Sequence, residues 1–272
     1  MNPNDFYNRP ISVADGIYWV GSYDARSYLH CNPYLVVAGD MAVLIDGGSR
    51  SDFATVMMKI LQAEIDPTQI AVLIYQHADP DLCGSMSNMV DICKNSQLRI
   101  FSNTIDKEFL KYYLHQDRSH LVDSIDKHAY RYNLNGRILS FHPTPYAHSS
   151  GSYITYDLKT KTLFTSDLFG SIAPKWDLFL NLADDCIVCD DTSTCKLGKE
   201  YCLIRSMISF HKQIMPCCKA LKHAMGIIKE LAPDIIAPQH GSIITNKRDM
   251  DFLIDKLEKL ENVGVDGLSQ VY

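Results

Sequence analysis

Three metal-type ligands stand at alternate positions in the stretch Ile74-Tyr75-Gln76-His77-Ala78-Asp79-Pro80-Asp81-Leu82-Cys83-Gly84. An apolar run leads into His77, Asp79 and Asp81, and an imidazole with two carboxylates on one strand-end loop forms one side of a divalent-cation site. Further donors stand where other apolar runs stop: His148 in PYAHSSGS, Asp167 closing TLFTSD and His240 closing DIIAPQHG. A single histidine in such a loop is ordinarily a hydrogen-bonded polar residue or a helix cap. Three imidazoles and three carboxylates together would bind two divalent ions, with one carboxylate free to bridge. Nitrogen and carboxylate donors without thiolate suit iron, manganese or zinc, and open positions beside them suit non-haem iron chemistry.

Loops carry such sites when a scaffold of strands and helices positions them. Short apolar runs predict strands at Gly16–Val20, Tyr34–Ala38, Ala42–Ile45, Ala71–Tyr75 and Arg99–Ser102. A second series follows at Ile138–His142, then a hairpin of Ser152–Asp157 and Thr162–Ser166, and a last strand at Asp234–Ala237. Helical spacing predicts helices at Ser51–Ala63, Gly84–Ile92, Asp106–Leu114, Glu200–His211, Pro216–Leu231 and Arg248–Glu261. Two β-then-α halves without a linker imply an α/β (α+β) chain of two sheets packed face to face with helices outside, a four-layer sandwich. The expected organisation is one domain over residues 1–262 and a flexible tail over residues 263–272.

Composition excludes several classes. The 272 residues are 46% hydrophobic and 21% charged with a formal net charge of −6, and lack the basic footprint of a nucleic-acid binder. No apolar run reaches the length of a membrane span, and MNPNDFYNRP does not read as a signal peptide. Nine cysteines without an export signal imply a reducing cytoplasm, and the odd count argues against a closed disulfide framework.

The motifs H-x-D-x-D, HSSGS, SD and APQHG, in this order, resemble the metallo-β-lactamase fold. An acid at the second ligand position resembles, within that fold, the flavodiiron proteins, whose first motif runs His-x-Glu-x-Asp-His and whose two irons reduce dioxygen or nitric oxide. NPYLVVAGDMAVLIDGG and the late helix leading into IIAPQHG extend the likeness over nearly the whole chain. The resemblance implies that His77, Asp79 and His148 hold one iron, that Asp81 and His240 hold the other, and that Asp167 bridges. Asp79 stands where the family carries glutamate and Leu82 where the second iron takes a histidine, and the expectation is a chain without the flavodoxin domain that would bind FMN. These departures resemble a narrower group, the oxygen-binding di-iron proteins (ODP family) that act as oxygen sensors in bacterial chemotaxis. A protein without a cofactor domain would hold oxygen more readily than reduce it.

The leading expectation is thus a cytoplasmic di-iron sensor of dioxygen, or of nitric oxide, with a chemotaxis signalling protein as partner and a homodimeric state. A reductase of dioxygen or nitric oxide served by an external electron donor is the first alternative. A di-zinc hydrolase is the second, disfavoured because hydrolases of this fold usually carry histidine where Asp79 stands. His30 and Leu82 are candidates around the second iron, and the phenols of Tyr146 and Tyr153 flank His148. Cys186, Cys189, Cys195 and Cys202 form a separate group that could hold structural zinc or act as redox thiols, although the irregular spacing also fits ordinary cytosolic cysteines.

Overall fold

The computed structural model describes residues 3–24, 27–189, 195 and 197–268. The first sheet has seven strands in sequence order: β1 (Ile11–Ala14), β2 (Ile17–Trp19), β3 (Tyr34–Ala38), β4 (Met41–Ile45), β5 (Ile70–Ile74), β6 (Arg99–Ser102) and β7 (Val122–Ser124). β1 to β4 pair antiparallel, and β4 to β7 pair parallel. Tight turns join β1 to β2 and β3 to β4: Gly16 (φ +66°) turns β1 into β2, and a Cβ there would stand 2.7 Å from the Val37 carbonyl. The parallel part needs crossovers, supplied by α1 (Phe53–Gln62) and by α2 (Pro80–Cys83) with α3 (Met86–Cys93). α1 buries Val56, Met57 and Ile60, one stripe at helical spacing. All five residues of β5 are buried, as expected for a central parallel strand covered on both faces.

The second sheet runs in the order β12-β11-β10-β9-β8, formed by β8 (Arg131–Leu134), β9 (Arg137–Pro143), β10 (Tyr153–Asp157), β11 (Thr162–Phe164) and β12 (Ile235–Ala237). β11 and β12 are parallel, with Phe164 opposite Ala237. Later helices are α4 (Asp106–Leu110), α5 (Asp184–Ile187), α6 (Leu203–Ile214), α7 (Cys218–Leu231), α8 (Lys247–Glu258) and α9 (Val265–Leu268).

The chain divides into two compact units. One comprises Met1–Asp24, His30–Phe141 and Thr155–Thr160; the other comprises Ala25–Leu29, His142–Ile154 and Lys161–Tyr272. Within the first unit, Phe101 of β6 meets Tyr132 of β8 at 5.4 Å and Phe141 of β9 at 6.2 Å, both edge-on. Arg137 donates to both carboxylate oxygens of Asp157 at 2.8 Å and, through Nη1, to the carbonyls of Asp15 and Val37. Burial would raise the Asp157 carboxyl, but the hydrogen bonds from Arg137 and Thr160 hold it below its ordinary range. Within the second unit, α7 buries Ala220, Leu221, Ala224, Met225 and Ile228, and α8 buries Met250, Leu253, Ile254 and Leu257. Asn246 caps α8 by accepting from the Arg248 and Asp249 amides.

Some elements differ from expectation. The helix expected over Asp106–Leu114 stops at Leu110 and continues as a 3-10 turn, Lys111–Tyr113. The helix expected over Glu200–His211 is displaced to Leu203–Ile214, so that Met207, Phe210 and His211 face inward. Val263, placed by sequence in a tail, is fully buried, and Val265–Leu268 is helical, with the Val265 amide donating to Pro216. The rest of the expected tail, residues 269–272, lies outside the described residues.

Candidate metal centre

His77, Asp167 and His240 share one placement, each the third residue past its strand: β5 ends at Ile74, β11 at Phe164 and β12 at Ala237. In the first unit the exit from β5 is held from several sides. Asp46, just past β4, accepts from the Gln76 amide at 3.0 Å and from the Gln76 side chain at 3.2 Å. Ser102 donates to the Tyr75 carbonyl, the Cys83 thiol to the His77 carbonyl at 3.4 Å, and Tyr113 to the Ala78 carbonyl at 3.0 Å. Burial, with Asp46 as the second cause, pushes the Cys83 thiol well above its ordinary range and so keeps it a donor. Asp79 then occupies the position before α2, with Pro80 as the first helical residue. His77 Nε2 lies 3.6 Å from Asp79 Oδ2; the imidazole is fully buried, whereas the carboxylate is 44% exposed.

Asp81 and Leu82 point to different surroundings. Leu82 is fully buried in the apolar cluster that contains Cys83, Met86 and Met89, and contributes no donor. Asp81 has the Cys31 thiol nearby, its sulfur within 4.8 Å of a carboxylate oxygen. In His30, Nδ1 accepts from the Asp24 amide at 2.9 Å and the ring stacks on Tyr23 at 4.7 Å.

In the second unit, Asp167 sits in a tight turn between two residues of positive φ, Ser166 (52°) and Phe169 (67°). Thr165 Oγ1 donates to the Leu168 carbonyl, and the Gly170 amide donates to Asp167. The Gln239 amide bonds to Ser166, tying the residue before His240 to the same turn. Asp167 Oδ2 lies 3.1 Å from His148 Nε2, and Oδ1 lies 3.8 Å from His240 Nε2. One carboxylate thus has an imidazole nitrogen at each of its oxygens. His148 is carried by a loop closed by Tyr146 to Ser149, Ala147 to Thr144 and Thr144 to Ser152 bonds. Tyr146 is exposed, and Tyr153 is buried at the start of β10.

His211 anchors the Asp167 turn. Its Nε2 accepts from the Phe169 amide at 3.0 Å and its Nδ1 donates to the Met207 carbonyl at 2.7 Å, fixing the neutral tautomer. Burial brings its imidazole down to about 4. Sequence reading passed over His211, Asp46, Tyr113 and Cys31. For His211 the signal was a histidine on the buried stripe of α6 beside Met207 and Phe210; for Asp46 it was an acid directly after a buried strand, read only as a chain break.

The donor set fits a divalent cation. Ligands at 2.0–2.2 Å in adjacent coordination positions are about 3 Å apart, and the His77–Asp79, His148–Asp167 and His240–Asp167 pairs are spaced at 3.6, 3.1 and 3.8 Å. The separate cysteines are arranged differently. Cys186, Cys195 and Cys202 line a cavity of ≈ 320 Å³ together with Lys175, Lys199 and Glu200. The Cys189 amide donates to Cys186, and its carbonyl accepts from Lys256. Among the described residues, no three of these thiols gather within 4.8 Å of one another; residues 190–194 and 196, between them, lie outside the described residues.

Comparison with known proteins gives consistent findings. The type A flavoprotein fprA of Rhodobacter capsulatus is 26% identical over 253 residues, 86% of this chain and 52% of that protein. The chain spans about half the length of such curated relatives. Among solved structures, a peroxy di-iron species of the chemotaxis sensor ODP superposes with a TM-score of 0.73 at 20% identity, covering 97% of this chain and 99% of that one. The flavodiiron protein from Giardia intestinalis gives 0.76 at 19% identity, covering 93% and 59%. With the two sheets and their helices, these likenesses establish the four-layer αββα metallo-β-lactamase sandwich expected from the sequence. In the described residues no helix is long and apolar enough to cross a membrane. A family model matches residues 29–241, and the chain belongs to the family that it describes, the ODP family beta lactamase.

Proposed function

We propose that this chain is a non-haem di-iron protein that binds dioxygen as a signal. The observation that carries the reading is Asp167, whose two oxygens each face an imidazole nitrogen, at 3.1 and 3.8 Å, as a bridging carboxylate requires. In this reading His77, Asp79 and His148 hold one iron, Asp81 and His240 the other, and Asp167 spans both. When bound, the two irons supply reversible one-electron chemistry toward dioxygen. The protein contributes fixed ligands: Asp46 and Tyr113 hold the His77 loop through Gln76 and Ala78, and His211 holds the Asp167 turn.

Sensing is favoured over reduction by Leu82. Where the flavodiiron motif carries histidine, this side chain is sealed in an apolar cluster, so the second iron has a different ligand set from that of the reductases. The same reading makes the protein cytoplasmic and homodimeric, with a chemotaxis-type signalling protein as recipient. The test is anaerobic purification, metal analysis and absorption spectra before and after air, followed by oxygen consumption with a reducing donor. Two irons per chain, a persistent visible change in air and no steady oxygen consumption are expected. Steady consumption would establish the reductase instead, and two zincs with a silent spectrum would remove both oxygen readings.

A further inference from the structure

The core position of Leu82 leaves Asp81, in the short helix α2, with no imidazole beside it in sequence, and the structure brings a different donor to that carboxylate. Cys31 is buried, and its sulfur lies within 4.8 Å of an Asp81 oxygen. Its segment is pinned on both sides. The Ser22 amide donates to the Cys31 carbonyl at 3.3 Å, the Val20 amide to Pro33 at 2.9 Å, and the Trp19 indole to the Asn32 side chain at 2.8 Å. Gly21 packs so closely that a Cβ would lie 2.3 Å from the Cys31 carbonyl oxygen, and buried Lys59 donates to the Gly21 carbonyl. His30 next to it accepts from the Asp24 amide at Nδ1 and stacks on Tyr23. In the run His30-Cys31-Asn32, Asn32 is engaged by Trp19, and the Cys31 sulfur lies within 4.8 Å of Asp81.

Metal–sulfur and metal–oxygen bonds of about 2.3 and 2.1 Å put a thiolate and a carboxylate on one ion between about 3.1 Å apart, when adjacent, and about 4.4 Å apart, when opposite. The Cys31–Asp81 separation, at most 4.8 Å, overlaps that span. We propose that Cys31 is a thiolate ligand of the same iron as Asp81, taking the place of the imidazole that Leu82 does not provide. This rests on the di-iron reading above. Binding breaks the S–H bond, releases its proton to solvent and forms a sulfur–iron bond, with no change in oxidation state. A thiolate donor is anionic and soft where imidazole is neutral, so it would stabilise the oxidised state of that iron and set its affinity for dioxygen.

The test loads the chelator-stripped full chain anaerobically with Co²⁺, then separately with Fe²⁺, and measures metal content and near-ultraviolet absorption. Wild type is expected to take two ions per chain and to gain thiolate-to-metal charge-transfer absorption. That absorption should vanish in Cys31→Ser and Cys31→Ala and survive in a Cys186→Ser/Cys195→Ser/Cys202→Ser triple variant, which removes the thiols that line the separate cavity. The second ion should bind about tenfold or more weakly in the Cys31 variants. X-ray absorption on the iron-loaded triple variant, which keeps Cys31, reads sulfur in the iron shell even if the Cys31 variants do not fold. Two bound ions with no sulfur and an unchanged spectrum in Cys31→Ser would overturn the Cys31 assignment while leaving the di-iron reading standing. Failure of wild type to bind two ions would overturn both.

Discussion

Replacing His211 by phenylalanine keeps a planar aromatic ring, slightly larger than the imidazole, and removes both hydrogen bonds. The Phe169 amide, which His211 Nε2 accepts at 3.0 Å, is left buried without that acceptor, a cost of about 1–3 kcal/mol at neutral pH. The pH dependence adds a second signature. Burial holds the folded imidazole near about 4 against an ordinary value of 6.5. The unfolded chain therefore takes up a proton below pH 6.5 that the folded chain resists until about pH 4, and stability is lost as pH falls through that window. At about 1.4 kcal/mol per pKa unit, the wild type sheds roughly 3 kcal/mol by pH 4 on account of this residue, and the variant sheds none of that share. His211→Phe should thus be the less stable protein at pH 7 and the gap should close or reverse at pH 4. Other carboxylates titrate in both proteins and cancel in the comparison. Urea unfolding of the metal-free proteins, followed by circular dichroism at pH 7, 6, 5 and 4, measures the difference directly. A difference that stays constant across the series would refute the buried neutral clamp, and equal stability at pH 7 would refute the hydrogen bond's contribution.

Asp157→Asn strands the buried Arg137 guanidinium without a counter-charge, and the urea midpoint should fall by the equivalent of about 3–5 kcal/mol. In the wild type this contribution is present above the ordinary aspartate pKa and is lost as pH falls through the lowered folded value, so the two proteins should converge in strong acid. Gly21→Ala places a methyl 2.3 Å from the Cys31 carbonyl oxygen and 2.7 Å from the Trp19 indole nitrogen, and should destabilise by about 1–3 kcal/mol in the same assay. Chelation of the iron-loaded protein should lower its apparent stability by about 4 kcal/mol if the metal was present at 1,000 times its Kd, with recovery on adding Fe²⁺ back. An unchanged melting temperature after verified removal would count against a site coupled to folding.

What could be read in advance follows from where local physics decides. β3, β4 and β5 were legible because continuous apolar runs between turn residues have few other uses, and α7 because its buried residues recur at helical spacing. The strand-end positions of His77, Asp167 and His240 followed from the same runs. β7 and β8 were not legible: Val122–Ser124 is too short for a pattern, and Arg131–Leu134 buries only its last residue. The helix around Asp106 was overdrawn because propensity runs on where the chain turns so that Tyr113 can reach Ala78. Cys31 and His211 were missed for a common reason. A buried cysteine or histidine in an apolar context reads as packing, and only tertiary placement reveals which carboxylate or amide it meets.

The Asp167 turn has a consequence for how metal exchanges. Thr165, Leu168, Gly170, Gln239 and His211 lock it with short-range bonds, so the conformational entropy of aligning this carboxylate between two imidazoles has been spent during folding. An arriving ion then needs only to shed water and displace protons, and a departing ion leaves the ligands where they were. Loading at this half of the centre would be governed by access past His148, whose imidazole is 21% exposed, rather than by motion of the chain. If the proposed di-iron reading holds, a protein so built would track the supply of free metal as well as the gas that the metal binds.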